Sequence, residues 1–174
     1  MDNPLLLFAP IAVIAVLATL LPRWIRRSSS TRGRRAGRRF EEDQLVALLA
    51  ELGTAVDLHT DRRTAREIVD GAARSEPRKF TVLDDGAYGI RFVEPDDAVA
   101  HLVPIDAGSR LQIVEFREYL GRPNTAGFWR DLRATVTDGA QAHGVAHSTP
   151  PSPSLFRRSE DPEPRWRLSE REGS

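Results

Sequence analysis

Phe80 to Tyr119 reads FTVLDDGAYGIRFVEPDDAVAHLVPIDAGSRLQIVEFREY, and this stretch decides the fold. Phe80 and Val82 alternate with polar neighbours, Asp85-Gly86 follows, and Tyr88, Ile90 and Phe92 alternate again. Such alternation is the pattern of a half-buried strand, and Asp-Gly suits a two-residue hairpin turn because glycine accepts positive φ. Glu94-Pro95-Asp96-Asp97 makes a second turn, leading to a strand with Val99, His101 and Val103 on one face and Ala100 and Leu102 on the other, closed by Pro104. Asp106-Ala107-Gly108-Ser109 turns the chain once more. In the longer strand from Leu111 to Tyr119, Gln112, Val114 and Phe116 alternate with Leu111, Ile113 and Glu115. Four antiparallel strands in sequence are the expectation.

Upstream, Val56 and Leu58 alternate with Asp57 and His59, a further strand. Thr60 or Asp61 can cap a helix with Ala65, Ile68, Val69 and Ala72 on one face. Before these, Glu41, Glu42 and Asp43 open a short helix whose Leu45, Leu48, Leu49 and Leu52 form a single stripe, stopped at Gly53. That stripe suits packing on the domain, with the bilayer or a partner helix as alternatives. Downstream, Gly121-Arg122-Pro123-Asn124 breaks the last strand, and a helix from Thr125 to about His143 carries Phe128, Trp129, Leu132 and Val136 as the lid on the sheet. Phe128 and Trp129 are also the candidate interaction surface should this helix be exposed.

The order is helix, strand, helix, four strands, long helix. In that order Gly53–Gly144 resembles a reduced version of the helix-grip family of START and polyketide-cyclase-like domains. The resemblance is carried by the opening strand TAVDLHT, the strand ending GSRLQIVEF and the closing helix GFWRDLRATVTDGA. It implies a curved sheet wrapping the last helix around an apolar cavity, hence lipid or small-molecule binding. It is a likeness of order, without a motif, so it assigns no site residue.

At the N-terminus, Leu5–Leu21 is a charge-free apolar run, LLLFAPIAVIAVLATLL. As a helix it would cover roughly 26 Å, close to the ~30 Å of hydrocarbon a span must cross. Arg23, Arg26, Arg27, Arg32, Arg34, Arg35, Arg38 and Arg39 follow with no acid until Glu41. Arginine flanking a span stays on the cytoplasmic side, so the expectation is a single-pass cell-membrane protein with its N-terminus outside and its C-terminal domain cytoplasmic. These arginines are the candidate membrane-surface contacts. A cleaved signal peptide would carry its positive charge before the apolar run. The fold class expected is therefore α+β: a transmembrane helix over 1–25, a basic tether over 26–40, and a domain over 41–147 in which about five antiparallel strands pack on a long C-terminal helix. The tail over 148–174 is proline-rich and charged, the composition of a disordered segment.

Net charge is zero over 174 residues, but residues 40–174 hold 17 basic against 24 acidic side chains. An acidic body lacks the clustered positive face that nucleic acid requires. There is no cysteine, hence no disulfide or thiolate site, and the use of one lysine among 25 basic residues suggests a high-GC bacterial genome. His143 and His147 stand four apart, but Gly144 interrupts any helix that would align them on a metal. Asp84-Asp85 and Asp96-Asp97 are paired carboxylates in turns, where aspartate serves the local backbone. No phosphate-binding glycine loop or nucleophile elbow is present. No catalytic, cofactor or metal residues are assigned. The function expected is a membrane-anchored module that binds or regulates a protein partner, with a small apolar ligand as the alternative.

Overall fold

The computed structural model describes residues 41–84, 86–151, 156–159 and 164–169. Leu5–Leu21 and the eight arginines after it lie outside these. The described part of residues 1–44, one compact unit, is the first turn of helix α1 (41–52); the rest of α1 and everything from Leu45 onward belong to the other.

From Leu45 the elements run β1 (Val56–Leu58), α2 (Arg62–Ser75), β2 (Phe80–Val82), β3 (Ala87–Ile90), β4 (Ala98–Ile105), β5 (Gly108–Arg117), α3 (Ala126–Ala142), β6 (His147–Ser148), β7 (Phe156–Arg158) and β8 (Arg165–Leu168). The strands form one antiparallel sheet in the order β2-β3-β4-β5-β1-β6, with β8 on β5 and β7 on β8. The expected fold class needs correcting. The domain is α+β and antiparallel, but its sheet has eight strands where about five were expected, and no helix among the described residues is long and apolar enough to cross a membrane.

One face of the sheet is covered by α2 and α3, which pack on each other. Asp61 caps α2 by accepting from the N–H groups of Arg63 and Thr64 at 2.9 and 3.1 Å. Its apolar face buries Ala65, Ile68, Val69, Ala72 and Ala73. Ile68 comes so close to Gly139 of α3 that a β-carbon there would stand 3.2 Å from its Cγ2, so the glycine sets the helix spacing. From α3, Trp129, Leu132, Val136 and Ala140 are buried, and the Trp129 indole N–H donates to the Thr54 carbonyl at 3.0 Å. The leucine stripe of α1 packs on the domain: Leu52 is buried, Leu48 and Leu49 lean on the core, and Glu51 pairs with Arg130 and Arg133 of α3.

Three local features explain where the strands depart from strict alternation. Val114 is an extra residue in β5, because Val99 pairs with Glu115 while Ala100 pairs with Ile113. This bulge puts Phe116 on the same face as Leu111 and Ile113, against the alternation expected. Pro104 lies inside β4; its ring replaces an N–H on the side where β3 has already ended, so no ladder bond is lost. Gly108 has φ +143°, and a β-carbon there would stand 2.2 Å from the Leu58 carbonyl oxygen, so Gly108→Ala should push β1 away from β5 and lower the thermal midpoint.

From residue 148 onward the described residues include strands β7 and β8, which join the sheet. Phe116↔Trp166 is a register pair between β5 and β8, and the two rings lie nearly parallel with centroids 6.0 Å apart. Phe156 of β7 meets Phe116 edge-on at 5.0 Å. These rings cover Phe116, which is fully buried. Trp166→Ala should accordingly cost about 1 to 3 kcal/mol, measured as a lower melting temperature.

Candidate functional site

The most unusual local chemistry gathers where β3, β4, β5 and α3 present their connecting loops. After Ile90 the ladder stops: the N–H of Arg91 still reaches the Lys79 carbonyl at 2.8 Å, but the next three N–H groups, of Phe92, Val93 and Glu94, all turn to Oδ2 of Asp97 at 3.1, 2.5 and 2.8 Å. Phe92, expected in the hairpin strand, therefore sits on a loop wrapped around a carboxylate. The other oxygen, Oδ1, accepts from the Tyr119 hydroxyl at 2.6 Å, with the Arg117 guanidinium 3.8 Å away. Asp97 is wholly buried. Burial pushes its carboxyl up, but the Tyr119 hydroxyl and the three backbone donors together outweigh this and hold it below the usual carboxylate value. The same bond raises the Tyr119 hydroxyl above its ordinary value. Of the two aspartate pairs in the sequence, Asp97 thus does turn chemistry. Asp85 lies outside the described residues.

Asp97 binds two loops together and both carry exposed apolar side chains. Phe92 and Val93 are 45% and 58% exposed, and Leu120 is exposed along its whole length. Leu120 also has φ +53° and is followed by Gly121 at +77°. Tyr119 and Arg122 exchange both backbone hydrogen bonds around this pair, at 2.9 and 3.1 Å. A two-residue turn with positive φ at both positions ordinarily takes asparagine, aspartate or glycine, and a leucine there costs about 1 to 2 kcal/mol. An apolar side chain held in the least favourable conformation and pointed at water marks a site of function better than exposure alone would. The Phe92 ring bridges the loops, 5.7 Å from Tyr119 and 6.4 Å from Phe128 of α3.

Of the two residues named from sequence as a candidate interaction surface, Phe128 joins this patch and is half-buried, whereas Trp129 is completely buried and forms no surface. The candidate membrane contacts Arg23 to Arg39 lie outside the described residues. Sequence reasoning missed Phe92, Val93, Leu120 and Asp97. The available signal was Leu120-Gly121, an apolar residue in a turn position.

Elsewhere, Asp57 and Arg110 form a two-pronged pair at 2.6 and 2.8 Å on the sheet face away from the helices. The buried Tyr88 donates to Asp70 at 2.9 Å, and burial first, then that carboxylate, pushes its hydroxyl well above the ordinary value. His143 ends α3, where Gly144 at φ +67° turns the chain, and His147 lies in β6. Among the described residues no group of three or more histidine or carboxylate side chains is placed to hold a metal ion.

No protein-family model matches this chain, and no curated protein or solved structure matches it either. Any functional reading stands on the sequence and the geometry.

Proposed function

We propose that this is a non-catalytic interaction module, held at the inner face of a cell membrane, that docks another protein on the apolar patch of Phe92, Val93, Leu120 and Phe128. The observation that carries the reading is Leu120, a strained and fully exposed leucine on a loop tied by Tyr119 to a buried carboxylate. Rigid presentation lowers the ordering cost of binding, which is what the Asp97 bonds supply. A protein fits the surroundings better than an anionic bilayer: exposed Arg91 and Arg122 are interspersed with Glu94, and the body as a whole is acidic. The membrane placement rests on the sequence of Leu5–Leu21 and its arginines. A reporter fused after Ser174 should be active only in the cytoplasm; activity outside would overturn that placement.

Small-molecule binding takes second place because the helix-facing side of the sheet is filled by Trp129, Tyr88, Phe116, Leu132 and Val136, all fully buried.

The test is a photo-crosslinking residue at position 93 of the full-length chain in its host, compared with one at exposed His101 on β4. Discrete protein adducts from 93, absent from 101 and lost when Leu120→Ser is added, are expected. Equal labelling from both positions, or adducts to lipid alone, would overturn the reading. Separately, Leu120→Asn should raise stability by about 0.5 to 1 kcal/mol, seen as a higher melting temperature, while abolishing the adducts. Function and stability pull this position in opposite directions.

A further inference from the structure

The C-terminal half of β5 has an unusual neighbour. Along one edge β5 is paired first by β1, over Ser109–Leu111, and then by β8, over Glu115–Arg117. β8 is held by three register pairs, and the backbone of β7 pairs with β8 and not with β5. Nearly all the specificity comes from side chains. On the helix-facing side, Phe116 is covered by Trp166 and Phe156, and the Trp166 indole N–H donates to Glu118 Oε2 at 2.7 Å. Arg158 pairs with the other oxygen of Glu118, a carboxylate whose side chain is only 5% exposed. On the opposite side Glu115 takes Arg165 at 2.7 Å and Arg167 at 3.3 Å, and Arg165 also reaches Asp96 at 3.4 Å. The Glu118 N–H donates to the Pro164 carbonyl at 3.2 Å.

Arg165-Trp166-Arg167 is thus read residue by residue: arginines by Glu115, tryptophan by Phe116 and Glu118. Such an arrangement is the strand-addition mode of peptide recognition, in which main-chain bonds supply affinity and alternate side chains supply specificity. A hairpin resting on three register pairs is among the first elements to open, and opening leaves β5 with an unpaired edge, an uncovered carboxylate and an exposed phenylalanine. We infer that Glu115–Glu118 is a strand-accepting site, that the β7–β8 hairpin is its displaceable resident, and that its ligand class is an extended protein segment carrying an aromatic residue between two arginines. The site is separate from the patch of Phe92 and Leu120, and its failure would leave that reading standing.

The experiment uses the full-length, detergent-solubilised chain and a fluorescent peptide of sequence FRRSEDPEPRWRLS, residues 156–169. A chain carrying Arg158→Ala and Trp166→Ala should bind the peptide saturably, at least tenfold more tightly than the wild type, whose site is filled. Replacing the tryptophan of the peptide by alanine, or adding Glu118→Gln to the chain, should weaken binding by roughly 30-fold. A variant that melts cooperatively and yet does not bind, or binds the alanine peptide equally well, overturns the proposal. Should that variant not melt cooperatively, a protease site inserted within residues 152–155 of the otherwise wild-type chain replaces it. After cleavage the fragment must stay associated and exchange with labelled peptide, and absence of exchange overturns the proposal.

Discussion

Trp129→Ala is expected to abolish the cooperative melting transition of the domain at physiological temperature. The side chain is fully buried beneath α3, with Leu132 and Val136 continuing its stripe. Its N–H is bonded to the Thr54 carbonyl, between the end of α1 and the start of β1. Truncation removes the largest side chain of the core, leaves a cavity and takes away the partner of a backbone oxygen. The first two effects typically cost about 3 to 5 kcal/mol, a large part of the ~5 to 15 kcal/mol that stabilises a domain. The Arg133 guanidinium, 5.7 Å from the ring centroid, would lose its aromatic neighbour as well. Trp129→Phe, which keeps much of the volume but not the N–H, should retain a transition at lower temperature. The readout is differential scanning calorimetry or far-ultraviolet circular dichroism. A Trp129→Ala chain melting like the wild type would mean that α3 is not the lid of the sheet.

The core was legible in the sequence to the extent that periodicity carried it. Ile68, Val69, Trp129, Leu132 and Val136 lie at helical spacing, and Ala98, Ala100 and Leu102 at strand spacing; all are buried. The misreadings have specific causes. Phe92 continues an alternating pattern, but the backbone there bonds to a side chain five residues away, which periodicity cannot register. Phe116 changes face because one extra residue, Val114, sits between two register pairs. Asp57 is buried although it reads as a polar strand position, because Arg110 opposite neutralises it from the neighbouring strand.

In the described part of the tail, composition and packing point different ways. Proline and charge argue for disorder when a segment must bury its own surface, yet β8 contributes a single tryptophan to a site already built by β5. Three tail arginines, a sign of solvation in isolation, find carboxylates: Arg158 finds Glu118, Arg165 finds Glu115 and Asp96, and Arg167 finds Glu115. A chain ending near residue 147 would leave Phe116 and Glu118 uncovered, and so the described tail belongs to the sheet. Of the candidate interaction residues, Phe128 is legible from its place on the closing helix and Leu120 from the glycine that follows it.

Asp97→Ala is expected to be the most damaging substitution outside the apolar core, and its pH dependence distinguishes it from ordinary loss of packing. The variant removes the acceptor for the N–H groups of Phe92, Val93 and Glu94 and for the Tyr119 hydroxyl, and leaves Arg117 without the carboxylate beside it. Loss of one member of such a buried, charge-assisted network costs about 3 to 5 kcal/mol. The sign of the pH effect follows from the shift. The folded-state pKa of Asp97 lies below its unfolded value of about 3.9, so the stabilisation is complete above that value and is lost as pH falls through the folded pKa. Wild-type stability should therefore decline steeply in acid, whereas Asp97→Asn, lower at neutral pH, should show a flatter acid limb because it has no proton to take up. Parallel acid limbs for the two would show that the ionised carboxylate is not what holds the loops. Because Phe92, Val93 and Leu120 are presented by those loops, Asp97→Asn should also weaken crosslinking from position 93 at temperatures where the domain is still folded. Undiminished crosslinking would separate loop order from docking.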